Sequence, residues 1–233
     1  MPATTTTSPA GDADVDVTLP AGERGEPRAR TFTQMPGFRH RRTWIFATML
    51  FSACLSLVAS FTLSYDAILL AANPDQQLAC DISSVLSCGT VALSWQASLL
   101  GFPNAFLGMM CEPVVITIAV AGLAGVRFPR WFMFTAQAIY LVGLVFAYWL
   151  FTQSMWDIGA LCPWCLVITL GTTLVFMTLL HHNILHDNLY LSRRMQERAL
   201  AFVRSDADLF VTIGVLVTIA ALIVSKYGTV LLG

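Results

Sequence analysis

Five stretches of this chain are long and apolar enough to cross a bilayer. They run from Trp44 to Leu70, Phe102 to Gly122, Trp131 to Phe151, Ala160 to Leu180 and Leu209 to Leu232. Each is near or above the roughly 20 residues that span a bilayer core as a helix. Backbone groups in lipid must be satisfied within their own segment, so these runs are read as helices and not strands. Composition agrees: 56% of the residues are hydrophobic and 12% are charged, against about 25% charged in a soluble domain. Too few polar side chains remain to cover a water-facing surface. The third run carries aromatics at both ends, Trp131 and Phe132, then Tyr148 and Trp149, as an interfacial belt does. No basic stripe is interleaved with aromatics, which excludes a nucleic-acid surface.

The rest of the chain sorts around these spans. Residues 1–43 are polar and rich in Thr, Pro, Gly, Asp and Arg, and read as a disordered cytoplasmic tail. They do not form a signal peptide, because the apolar run that follows starts too late and is too long. Residues 181–208 form a connecting segment. Within it, Asn188 to Arg204 has apolar residues at helical spacing among basic ones, the pattern of an amphipathic helix on a membrane surface. Residues 209–233 hold the fifth span.

Helices alternate in direction, so the tail, the 123–130 loop and the 181–208 segment share one side. That side carries 12 of the 13 Lys and Arg residues, Lys226 being the exception. The positive-inside rule places it in the cytoplasm. The loops at 71–101 and 152–160 and the C-terminus then lie outside. In the longer outer loop, Val91 to Leu100 is apolar but too short to span. It reads as a short helix lying across the outer mouth of the bundle.

Six cysteines are present. Cys54 and Cys111 lie inside spans and read as small buried apolar residues. The other four, Cys80, Cys88, Cys162 and Cys165, fall on the outer side, where disulfides persist. The topology came from arginines alone, so this co-location is independent of it. Cys162-Pro163-Trp164-Cys165 opens the fourth span. Pro163 suits the first helical position, which puts Cys162 at the cap, where free N–H groups and the helix dipole favour a thiolate. Cys165 lies about 4.5 Å further along the axis and faces the membrane interior. On one continuous helix, Cys80 and Cys88 would be about 12 Å apart, beyond the ~7 Å limit for a disulfide. To pair, their segment must bend back, and a loop that bends can also carry Cys88 to Cys162. Spacing leaves open which of Cys80–Cys88 and Cys88–Cys162 forms. It also leaves open two inert structural disulfides, or a zinc site built from the two pairs.

Taken together, Cys80-x7-Cys88, Ser94 six residues later, Pro103-Asn104 at the second span and Gly159-Ala160-Leu161-Cys162-Pro163-Trp164-Cys165 at the fourth resemble the vitamin K epoxide reductase family. Within it, the match is to bacterial members that oxidise disulfide-forming proteins. The resemblance covers 44–180. It implies an all-α membrane fold: a four-helix bundle enclosing a quinone near its outer end, here followed by a fifth transmembrane helix. It implies that Cys162 and Cys165 are the active-site pair and Cys80 and Cys88 the shuttle pair. It further implies that Ser94 sits beside the active site and that Asn104 hydrogen-bonds a quinone oxygen. Vertebrate members carry a tyrosine four residues after the second active-site cysteine. Thr169 stands there in this chain, which argues against epoxide chemistry.

A quinone (menaquinone, ubiquinone or vitamin K type) needs a flat apolar slot and a donor or two. Asn104 and Thr169 can donate, while Trp95, Phe106, Leu107, Tyr140, Tyr148 and Trp149 are candidate walls. Glu112, near mid-membrane, is a functional candidate by cost alone. Its depth below Asn104 favours a structural acid hydrogen-bonded within the bundle. His40, His181, His182 and His186 lie on the cytoplasmic side and read as interfacial.

The function expected is a quinone reductase of the bacterial cytoplasmic membrane that reoxidises a thioredoxin-fold disulfide oxidant. Because the sequence ends at Gly233, that partner is expected to be a separate extracytoplasmic, DsbA-like protein. The alternative is a non-enzymatic membrane scaffold or transporter with stapled outer loops.

Overall fold

The computed structural model describes residues 38–231. The tail expected over 1–43 lies outside the described residues up to residue 37, as do Arg24, Arg28 and Arg30. Within the described part every regular element is helical, and five helices are long and apolar enough to cross a membrane. The chain is therefore a multi-pass, all-helical membrane protein.

Helix α1 spans Arg42–Ala72, and α2 is a short turn of helix at Cys88–Ala92. Next come α3 (Ala105–Ala124), α4 (Arg130–Gln153) and α5 (Pro163–Leu185). They are followed by α6 (Arg193–Arg204) and α7 (Ala207–Leu231). Helices α1 and α4 run past the apolar limits at both ends, whereas α3 and α5 begin inside theirs and end beyond them. At 31 residues, α1 is about 46 Å long, more than the ~30 Å of a bilayer core. Helix α4 continues beyond Gln153 as a π turn, Ser154–Ile158, and stops at Gly159 with φ +73°. That left-handed conformation suits glycine, and it delivers Ala160 and Leu161 into the protein, each 1% exposed.

Helix α1 is the hub, packing along both α3 and α5, while α4 packs on α5. The close approach follows from small residues, as in many membrane bundles. Ser52, Ser56, Ser60 and Ser64 recur every fourth residue on α1 and are all buried. A Cβ on Gly171 would lie 1.9 Å from Ser56 Oγ, and one on Gly108 would lie 2.1 Å from Ser60 Oγ. Glycine is required at both crossings.

The four long helices share one core in a single half of the bundle. It joins Phe46, Met49 and Ala53 to Val115, Ile118, Met133, Tyr140, Val175 and Leu179. Toward the other end a cavity opens among α1, α3, α4 and α5. Helix α7 stands outside this bundle, with Tyr227 packed against Phe151, Met155 and Leu161.

Several expectations are adjusted. The segment Val91–Leu100 is not one helix: α2 ends at Ala92 and a 3-10 turn follows at Trp95–Ser98. The break falls at Ser94, whose hydroxyl donates to the Val91 carbonyl. The amphipathic helix expected over 188–204 begins later, at Arg193, and buries Leu200 and Val203 against Ile45, Ile184 and Leu185. Cys54 is exposed on the outside of α1, and Cys111 is half-buried. His181 and His182 are buried within the protein. Asp208 at the start of α7 sits 2.7 Å from His181 Nδ1, and Arg39 bonds both Asp206 and Asp208.

Candidate functional site

The site begins with the start of α5. Pro163 occupies the first helical position and Cys162 the cap, as the sequence predicts. The Cys165 N–H points at Cys162 Sγ from 3.3 Å. The Cys162 thiol lies below its ordinary value, chiefly because the Cys165 thiol hydrogen-bonds to it. Burial pushes the other way, the N–H groups of Cys165 and Trp164 add to the lowering, and the charge of Asp66 opposes it. A low-lying thiol is the better nucleophile near neutral pH.

The outer loop is tied to this cap by backbone bonds. Leu161 N–H donates to the Val85 carbonyl at 2.7 Å, and Ser87 N–H donates to the Leu161 carbonyl at 3.0 Å. This single parallel bridge, Leu86 beside Leu161, sets the register between the two cysteine segments. Two residues beyond it on one segment and one on the other, Cys88 Sγ and Cys162 Sγ lie 3.5 Å apart. Cys88 is also joined to Cys80 in a disulfide, with Cα atoms 5.7 Å apart. The segment does bend back. Cys88 need not travel, because a free thiol already faces its disulfide at close to attack distance.

Asp81 makes that bend. Its carboxylate accepts from Leu78 N–H at 2.9 Å, Ser87 Oγ at 2.8 Å and Gly89 N–H at 2.9 Å. Ser87 in turn caps α2 by accepting from Thr90 N–H at 3.1 Å. A Cβ on Gly89 would come within 3.0 Å of the Asp81 carboxylate. Burial pushes the Asp81 carboxyl up, but the Gly89, Leu78 and Cys88 N–H groups and the Ser87 hydroxyl outweigh it and hold it below the usual range.

A depressed carboxylate stabilises the fold above its unfolded pKa, and the effect is lost as pH falls through the folded value. The Cys80–Cys88 bond is therefore expected to be reduced by a phosphine faster as pH drops below about 4. Asp81→Asn should remove that acid step and raise the neutral rate about tenfold, the equivalent of one charge-assisted hydrogen bond at ~1.5 kcal/mol. An Asn variant with the wild-type rate and pH profile would contradict this role for Asp81.

Behind the sulfurs lies the cavity, about 570 Å³ and mostly apolar, within the size range of small-molecule sites. Cys88, Cys162 and Cys165 are in its wall, as are Ser94, Trp95, Asn104, Leu107 and Thr169. Phe106 is not; it stacks on Phe102 instead, with centroids 6.4 Å apart. Tyr148 and Trp149 also lie outside the wall, Tyr148 hydrogen-bonding Thr173 and Trp149 stacking on Phe146. Tyr140 and Glu112 do line it, so the depth that set Glu112 apart in the sequence reading does not separate it from the sulfurs.

The polar groups of the wall are unequally committed. Thr169 Oγ1 donates to the Cys165 carbonyl at 2.9 Å, and so braces the active-site turn instead of aiming its proton at the cavity. Asn104 Nδ2 donates to the Gln96 carbonyl at 2.6 Å. Asn104 Oδ1 is buried without a partner among the described residues, and such an orphaned acceptor fits a ligand group that donates, such as a hydroxyl.

Asp81, the Leu86–Leu161 bridge, Gln96 and Asp66 are not legible in the sequence. Gln96 is 1% exposed and ties the 3-10 turn to Asp157 at the end of α4. The carboxyl of Asp66 lies 3.9 Å from Cys80 Sγ. Only Ser87 gave a signal, as a cap residue ahead of Cys88-Gly89-Thr90.

A profile described as the vitamin K epoxide reductase family matches residues 47–180, more than half of the chain. None of the curated proteins compared with the chain matches it.

Proposed function

The chain belongs to the vitamin K epoxide reductase family of membrane thiol oxidoreductases with quinone-linked activity, and from that premise we propose that it oxidises a separate thioredoxin-fold protein outside the cytoplasmic membrane and passes the electrons to a quinone. The observation that carries this reading is the Cys162 thiol 3.5 Å from the sulfur of Cys88 in the Cys80–Cys88 disulfide. Two structural staples have no reason to place a free thiol there.

The path begins when a partner thiolate attacks Cys80 and expels Cys88. The partner's second thiol then closes its own disulfide and leaves Cys80 and Cys88 reduced. Cys88 attacks Cys162 in an oxidised Cys162–Cys165 pair and releases the Cys165 thiolate. Cys80 resolves the Cys88–Cys162 bond, which regenerates Cys80–Cys88 and frees Cys162. The arrangement described here, with Cys80–Cys88 oxidised and Cys162 and Cys165 free, corresponds to that point in the cycle.

A bound quinone supplies a two-electron acceptor. The cavity fits one in size and apolarity, with the second Nδ2–H of Asn104, beyond the one given to the Gln96 carbonyl, as a donor to a carbonyl oxygen and Trp95 and Leu107 as walls. Cys165, in the cavity wall, would face that acceptor, and Cys162 would close the disulfide as the pair gives up two electrons. The arginine-rich side is cytoplasmic in this proposal, so the cysteines meet the oxidising compartment.

Titration against a thiol redox buffer tests this reading against a scaffold with stapled loops. Working pairs should reduce at potentials above about −300 mV, whereas structural pairs lie below it. If both pairs resist reduction at that limit, the scaffold is the better description.

A further inference from the structure

The inner end of the cavity holds an acid that the cysteine chemistry does not use. Glu112 on α3 is 4% exposed, and the Tyr140 hydroxyl on α4 donates to its Oε2 at 3.0 Å. Both residues line the same cavity as Cys162 and Cys165. Glu112 is the deepest lining residue on α3, and Tyr140 lies beside Ile139 at the deepest lining position on α4, so the hydrogen-bonded pair forms the cavity floor. Among the described residues no Arg or Lys lines the cavity. An unpaired charge at that depth is costly, which makes the neutral acid the resting form and marks the residue as functional.

Length argues for what the acid faces. Glu112 follows Asn104 by eight residues, about 12 Å along the axis. Helical side chains lean toward the N-terminus, so the Glu112 carboxyl reaches back toward Asn104. A quinone ring with one hydrogen bond at each carbonyl spans about 11 Å, counting about 2.8 Å for each bond. Asn104 at the outer wall and Glu112 at the floor therefore bracket one ring.

We propose that Glu112, oriented by the Tyr140 hydroxyl, hydrogen-bonds the inner carbonyl of the bound quinone and donates one of the two protons that hydroquinone formation requires. This rests on the thiol–quinone reading above. Cys162 enters as a thiolate and Cys165 as a thiol. Together they lose two electrons and form one S–S bond. The Cys165 proton goes to one carbonyl oxygen and the Glu112 proton to the other. Glu112 is left as a carboxylate, stabilised by the Tyr140 O–H, and regains its proton from water. Tyr140 is a positioning residue in this scheme.

The test uses the full chain in liposomes with a short-chain quinone. Glu112→Gln keeps size and hydrogen bonding but has no proton to give. Turnover should fall about 100-fold at neutral pH, the lower end of general acid catalysis, and the remaining rate should decline steadily as pH rises. Glu112→Asp should restore part of the rate. Quinone binding, read by quenching of Trp95 fluorescence in a Cys165→Ala background, should change less than about threefold on adding Glu112→Gln. Infrared difference spectra on quinone binding should show a shifted carboxylic-acid band that Glu112→Gln abolishes.

A wild-type rate and pH profile in Glu112→Gln overturns the proposal. So does a loss of turnover that merely tracks lost binding or a lowered unfolding temperature. Were Cys165→Ala itself to retain quinone reduction, the underlying thiol–quinone reading would fail first, and the two failures are thereby distinguished.

Discussion

Replacing Cys165 by alanine is expected to cut quinone reduction by on the order of 10³-fold or more, as loss of a nucleophile does, while the Cys80–Cys88 pair still exchanges with a partner thiol. The two halves of that result come from different parts of the structure. Cys165 sits one turn inside α5 and borders the cavity, so its removal takes away the sulfur that meets the acceptor. Cys80 lies in the loop between α1 and α2, in a bend held by Asp81 and the Leu86–Leu161 bridge, neither of which includes an atom of Cys165. Stopped-flow absorbance follows the quinone, and thiol trapping follows the partner. If both activities fell together, Cys165 would be a structural residue and its assigned role would be wrong.

Replacing Cys80 by alanine is expected to convert most of the protein to a Cys88–Cys162 disulfide. Without Cys80, Cys88 keeps one sulfur neighbour, Cys162 at 3.5 Å. The backbone bridge holds that spacing whether or not the native bond is present. No resolving thiol then remains on the loop side, so the intermediate accumulates and partner oxidation stops. Mass spectrometry of an unreduced digest reads the linkage directly. A Cys88 that stays alkylatable while Cys162 pairs with Cys165 would show that the loop is not held against the α5 cap.

The parts of this protein legible in its sequence are those that one segment decides alone. A run of apolar residues declares a span because lipid leaves the backbone no other choice. Pro163 after Cys162 declares a capped cysteine because proline fits the first helical position and little else. What escaped needs two segments at once. Asp81 looks like an ordinary loop acid until the chain folds back and puts the Leu78 and Gly89 N–H groups on the same carboxylate. Leu161 looks like packing, yet its backbone fixes the distance between two sulfurs.

Depth along one helix sets Glu112 apart from the cysteines, yet both border one cavity enclosed by α1, α3, α4 and α5. His181 pairs with Asp208 from another helix, so its burial is not legible in either segment alone. Phe106 failed as a cavity wall for a simpler reason. A helix shows different faces to different neighbours, and sequence proximity to Asn104 does not choose the face.

The central claim is an ordered transfer from an external dithiol to a quinone. Its most direct test is the full chain in liposomes, with a reduced thioredoxin-fold protein outside and quinone in the bilayer, followed without oxygen. The account predicts one hydroquinone formed for every two partner thiols lost, no thiol oxidation when quinone is left out, and no transfer in Cys88→Ala. Partner oxidation that proceeds equally well without quinone, or quinone reduction that survives in Cys88→Ala with the same partner, would contradict it.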